Sequence, residues 1–215
     1  MTARQLLLGG VIAGPVFMAL YLGQAFTRAG FDITRHPASI LSNGDLGWIQ
    51  VLNFLVCGLL VIAGAIGMRQ ALRGGPGGTW APLLLTITGM GLCAAAVFSA
   101  DPVDGFPPGT PLGPPTSITT TGLLHFVVAL VAFAAWIAAS FVFARRFAVL
   151  GETGWAVFSI ISGAYFLVAF VGTAVGISVV AFAVAVALMW AWTSATSAKI
   201  MAELPAAAAG AAAAA

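Results

Sequence analysis

Three aspartates and one histidine stand at the edges of long apolar runs: Asp45 precedes one run, Asp101 and Asp104 follow another, and His125 lies about one turn inside a third. Ionisable groups at the rim of hydrocarbon are costly unless they are paired or used. An apolar pocket disfavours the charged form of a carboxyl, so such a group can be held as the acid and donate a proton. Two acids close together push one another the same way. Aromatic faces nearby stabilise a passing cation through the ring quadrupole. Together these features describe acid-initiated chemistry on a lipophilic chain. In its sharpest form an aspartic acid protonates an alkene or epoxide of an isoprenoid, and the cation then cyclises. The candidate catalytic groups are Asp45, Asp101, Asp104 and His125. The candidate substrate contacts are Arg35, His36, Asn43, Trp48, Gln50, Asn53, Phe98, Phe106 and Trp136.

Each residue also has an architectural reading. Asp45 can cap the helix that follows it, where an acid meets the positive end of the helix dipole. Asp101 and Asp104 can end a helix and fix a turn with Pro102 and Gly105. His125 can bond a loop carbonyl, Arg35 can pair with one of the acids, and the aromatic residues can face lipid or core.

Two other function classes remain open. A metal-dependent lipid hydrolase needs a donor set, and catalytic zinc usually takes three protein ligands. The chain has only two histidines, His36 and His125, so no metal and no other cofactor is expected. A non-catalytic lipid-binding, sensor or assembly protein is the other alternative, with a proton-coupled transporter as its weaker variant. No run carries an ionisable residue near its centre, where a transport site is expected. No phosphate loop, dinucleotide fingerprint or facing haem histidines occur. A net charge of +2, with Arg145-Arg146 as the only basic cluster, excludes a nucleic-acid partner. The expected partners are a lipophilic small molecule and membrane lipids, with the chain a monomer or weak homo-oligomer.

The elements that must position these groups are unusually apolar. The 215 residues are 61% hydrophobic and 7% charged, and mean hydropathy is +1.08. Soluble domains carry about 25% charged residues, so lipid is the expected solvent. Six runs, 5–26, 47–68, 80–100, 120–144, 154–175 and 177–198, each match a hydrocarbon core of about 30 Å. The fold class is therefore an all-α, six-span membrane bundle, one domain over 1–200 followed by an Ala-rich disordered tail over 201–215.

The charges orient it. With both termini cytoplasmic, Arg4, Arg69, Arg73, Arg145, Arg146 and Lys199 lie inside and only Arg28 and Arg35 outside. Asp32, Asp45, Asp101 and Asp104 then lie outside, on the face of the two long loops. The second of these loops holds Pro102, Pro107, Pro108, Pro111, Pro114 and Pro115, too many for a helix, and reads as an extended cover. A site gathered by spans two, three and four beneath that cover is the expectation.

Smaller signals concern packing. Gly10 and Gly14, and again Gly172 and Gly176, have the G-x-x-x-G spacing that lets helices approach closely, within the monomer rather than across a dimer. Pro15 is expected to kink span one. Cys57 and Cys93 read as small buried residues rather than a disulfide framework. The first run is longer than a signal-peptide core and reads as a retained helix.

The segments Arg35 to Gln50 (R-H-P-A-S-I-L-S-N-G-D-L-G-W-I-Q), Asp101 to Pro108 (D-P-V-D-G-F-P-P) and Gly122 to His125 (G-L-L-H) resemble a family of small six-span bacterial membrane proteins, the domain of unknown function numbered 998. The resemblance covers nearly all of residues 5–198. It implies a six-helix bundle in the bacterial inner membrane and supplies no activity. The acid chemistry is similar in kind, though not in motif, to the integral-membrane terpene cyclases of meroterpenoid pathways. Asp-Pro-Val-Asp is not the D-x-D-D pattern of soluble cyclases.

Overall fold

The computed structural model describes residues 1–205. Six helices account for most of them: α1 Ala3–Thr27, α2 Gly47–Ala71, α3 Trp80–Val97, α4 Thr120–Val149, α5 Thr153–Ala174 and α6 Val179–Glu203. All six are long and apolar enough to cross a membrane. They coincide with the six expected spans to within a few residues. α6 continues to Glu203, so the first residues read as tail are helical; residues 206–215 lie outside the described residues.

Local chemistry sets the ends. Thr2 and Gln5 form a reciprocal capping box on α1. Thr119 and Ser178 cap α4 and α6 by accepting from Gly122 N and Ala181 N. α5 ends at Gly176, whose φ of +79° suits glycine; Ile177 N donates to Gly172 O and Gly176 N to Thr173 O, a Schellman termination. The expected packing role of Gly172 and Gly176 is thereby corrected. Gly176 is a turn residue, and a Cβ on Gly172 would meet only Ile177.

Each helix packs on its sequence neighbours, and α1 also packs on α6, so the contacts close into a ring. Glycines bring α1 close to both partners. A Cβ on Gly64 would lie 2.8 Å from Gly10 Cα, and one on Gly14 would lie 2.7 Å from the Trp190 carbonyl. The first G-x-x-x-G is therefore used inside the monomer. α1 runs unbroken through Pro15, and Gly14 N donates to Ser194 Oγ of α6 at 3.3 Å. Cys57 and Cys93 are free thiols.

Six crossings return both ends of the described chain to one face. On that face the α2–α3 connection is clamped by Arg69 Nη1, bonded to Gly78 O at 2.9 Å, and Arg146 Nη1, bonded to Pro76 O at 2.7 Å. Lys199 joins Glu152 at 2.8 Å. The opposite face carries the two long connections, 28–46 and 98–119.

Candidate functional site

The two long loops form one interlocked plug. Arg28, at the end of α1, donates through its two terminal nitrogens to Leu41 O and Asn43 O. Its guanidinium carbon also lies 4.9 Å from the centroid of Phe106, a cation–π contact between the loops. Asn43 Nδ2 donates to Ile40 O and to Ala100 O, both at 3.0 Å. Phe106 is 1% exposed and packs edge-on against Phe31.

His36 is the plug's centre and has no solvent exposure. Its Nδ1 accepts from Asp32 N at 2.9 Å, and Nε2 lies 3.0 Å from Asp104 O. The backbone donor fixes the tautomer, neutral with the proton on Nε2. Both ring nitrogens are therefore taken.

The acids are placed separately. Asp101 accepts from Thr119 N at 2.9 Å and from Thr119 Oγ1. Its carboxylate lies against Gly122, where a Cβ would come 2.1 Å from Oδ2. It therefore fixes the start of α4, not the end of α3. Asp104, with φ +49°, accepts from Gly113 N at 2.8 Å and lies 3.7 Å from Arg35 Nε. Arg35 also donates to Asp104 O at 3.2 Å and lies 3.4 Å from Asp32. Asp45 is exposed, and the N-cap of α2 is Leu46, with no side-chain cap bond, which corrects the expected capping role. Its charge acts on Arg28: burial lowers the Arg28 pKa, and Asp45 raises it. Among the described residues no three of the His, Cys, Asp and Glu side chains gather as a metal donor set.

His125 bonds a loop carbonyl through Nδ1, 2.7 Å from Phe98 O. That contact ties α4 to the end of α3 and leaves Nε2 as the acceptor nitrogen. Trp48 is 57% exposed at the start of α2. Trp136 lies 16 residues into α4, roughly 24 Å from its start. It packs on Phe166 and Trp192 and donates to Thr193 Oγ1 at 3.2 Å, so it belongs to the α4–α5–α6 core and not to the loop cluster.

Gln50 and Asn53 are completely buried, but they face α1, not α3 and α4. Gln24 Nε2 donates to Leu20 O at 3.1 Å and to Gln50 Oε1 at 3.0 Å. Asn53 Nδ2 donates to Phe17 O at 3.2 Å and to Gln50 Oε1 at 3.3 Å. Cys57 Sγ donates to Asn53 Oδ1 at 3.3 Å. This amide layer lies directly beneath the plug. Sequence reasoning missed Tyr21, Gln24, Arg28 and Trp190; glutamines three residues inside two apolar spans were the available signal.

A cleft lies one layer deeper, between α1 and α6. Gly14, Pro15, Met18, Ala187, Trp190, Ala191 and Ser194 line it, and its volume is about 220 Å³. A second concavity lies at Gly154, Trp155 and Phe158, far along the chain from the plug.

No curated protein and no solved structure matches the chain. A family model described as "Protein of unknown function (DUF998)" matches residues 11–199, and the chain belongs to that family.

Proposed function

We propose that this protein binds a lipid-soluble molecule within the membrane, without chemistry on it, at the α1–α6 seam. The observation that carries the reading is the apolar cleft beside Trp190, which lies at lipid depth beneath a plug whose charged groups are mostly engaged with one another or with backbone. Ligand sites are mostly apolar concavities with few polar groups, and this cleft has that composition. The orientation that accompanies the reading has the terminal face cytoplasmic and the plug outside, in the cell membrane, from the distribution of basic residues. The test is to purify the protein from membranes in mild detergent and identify the extracted lipids. About one neutral lipid per chain is expected, lost when Ala187→Phe or Ala191→Phe fills the cleft. An extract no different from bulk membrane lipid would sink the reading.

Acid-catalysed conversion of an isoprenoid-type substrate is the second reading. Asp45 favours it: its carboxyl is exposed at the plug's edge and forms no hydrogen bond among the described residues. General acids contribute about 10²-fold or more, so Asp45→Asn must cost that much in turnover of any substrate found. Activity through His36 as a metal ligand, the hydrolase alternative, has against it that both ring nitrogens already hold backbone partners.

A further inference from the structure

The amide layer and the α1–α6 cleft below it contain hydrogen-bonding atoms with nothing to bond. Tyr21 Oη, Gln24 Oε1, Gln50 Nε2 and Trp190 Nε1 are buried and unpartnered, on side chains no more than 4% exposed. Reversed amides do not remove them. Turning Gln50 would set its NH₂ against the NH₂ groups of Gln24 and Asn53. Turning Gln24 would set its oxygen against Leu20 O and Gln50 Oε1. The network therefore fixes which atoms stay open. Buried polar groups in native proteins are nearly always satisfied, and an orphan calls for an occupant. Ser162 and Thr196 also carry unpartnered hydroxyls, but those are single groups elsewhere in the bundle. Here a free acceptor and a free donor flank one hydrogen bond, with Tyr21 one turn deeper on the same helix.

The open valences specify the guest. Gln50 Nε2 needs an acceptor, Gln24 Oε1 needs a donor, and Tyr21 Oη takes either role. A hydroxyl group supplies both. Among the described residues no charged side chain bonds into the layer: α1 contributes Tyr21 and Gln24, α2 contributes Gln50 and Asn53, and Trp190 of α6 lies below them. Arg28, four residues beyond Gln24 in the chain, is engaged in the plug. The guest is therefore neutral. Depth supplies the rest. Gln24 and Gln50 lie roughly 5 Å from the loop-side ends of their helices, whereas Met18 and Trp190 lie roughly 14–17 Å down. Met18 is one turn from Tyr21, and Trp190 both lines the cleft and stacks on Phe17 at 4.5 Å.

We propose that the amide layer and the α1–α6 cleft form one site for a lipid-soluble molecule ending in a neutral hydroxyl group, with the hydroxyl at Gln24, Gln50 and Tyr21 and the chain in the cleft. The inference rests on the lipid-binding reading above and names the chemistry of its ligand. The polar end then points to the loop face and the chain to the bilayer centre, as a membrane lipid lies.

The test uses the full chain in detergent with three probes of equal chain length: a primary alcohol, its methyl ether and the alkane. Each competes with a brominated alcohol that quenches tryptophan fluorescence. The alcohol should bind about tenfold or more tighter than the ether, which keeps the acceptor but lacks the donor Gln24 Oε1 requires. Gln24→Met and Tyr21→Phe should each shrink that preference; Tyr21→Phe removes only a hydroxyl, so its fold is secure, and unchanged melting checks both. Saturable binding of alcohol and ether with equal affinity would overturn the hydroxyl assignment, leave water as the group's occupant, and preserve the lipid-binding reading. No saturable binding of any probe would remove both. A preference unaltered in both variants would move the hydroxyl elsewhere and overturn the site.

Discussion

The plug and the amide layer lie one above the other and handle polar groups in opposite ways. In the plug, ionisable side chains are numerous and most are satisfied: Arg28 on two carbonyls, His36 on both ring nitrogens, Asp101 on Thr119, Asp104 on Gly113. In the amide layer every side chain is uncharged, yet three open valences remain on Tyr21, Gln24 and Gln50. Charge density therefore marks the structural lock, and neutral polarity marks the place where something can bind. A buried group already holding its partners has little left to offer a ligand.

The comparison breaks most readily at His36. His36→Ala removes a completely buried ring and strands the Asp32 N–H, while the Asp104 carbonyl keeps only its bond from Arg35. An unsatisfied buried group costs about 1–3 kcal/mol and truncating a buried ring adds the cost of the cavity it leaves, so a loss of about 2–5 kcal/mol is expected, read as a fall in melting temperature in detergent. Melting within a degree of the parent would show that the plug does not hold the bundle, and His36 would return to the list of free functional groups.

Arg28→Lys is the next largest. An ammonium keeps the charge but lacks the planar fork that reaches Leu41 O and Asn43 O while lying over Phe106. A loss of about 1–3 kcal/mol is expected, since hydrogen bonds to charged groups contribute about 1.5–3 kcal/mol. Faster hydrogen exchange should be confined to residues 38–46 and 100–108. Exchange spreading into α1 and α2 at 17–24 and 50–57 would mean that plug and amide layer are one unit, and the contrast between them would fall.

These contacts explain what the sequence could reveal. The spans were legible because bilayer thickness imposes a length on every apolar helix, whatever lies beside it. The three motifs were legible as motifs, but not as one object. His36 of the first meets Asp104 of the second, Asn43 meets the carbonyl of Ala100, Asp101 meets Gly122 of the third, and His125 meets Phe98 O. Many of the acceptors are backbone carbonyls, which every residue type supplies, so no residue pattern announces them. The placement of Gln50 and Asn53 failed for another reason: which face of α2 meets α1 is decided by the Gly10–Gly64 approach, not by the polar residues. Trp136 failed on depth alone, because α4 continues to Val149 and buries it among α5 and α6.

The smallest expected effect concerns Asp32, which orients the turn that presents His36. Its carboxylate accepts from Thr34 Oγ1 at 2.7 Å and from Thr34 N at 2.8 Å. These two bonds, the hydroxyl's first, hold its pKa below the usual carboxylate value, with the Arg35 charge adding to them against desolvation. A depressed pKa in the folded state means that the stabilisation is complete above the unfolded value of about 3.9 and is lost as pH falls through the folded one. Melting temperature should therefore be insensitive to Asp32 above about pH 5 and should decline below it. Asp32→Asn should flatten part of that decline. The carboxylate is exposed, so screening keeps the effect small. Its locality is the informative part: turn 32–36 should lose exchange protection first, with His36 following. An acid transition identical in parent and Asp32→Asn would show that the Asp32–Thr34 bonds do not hold the turn that presents His36.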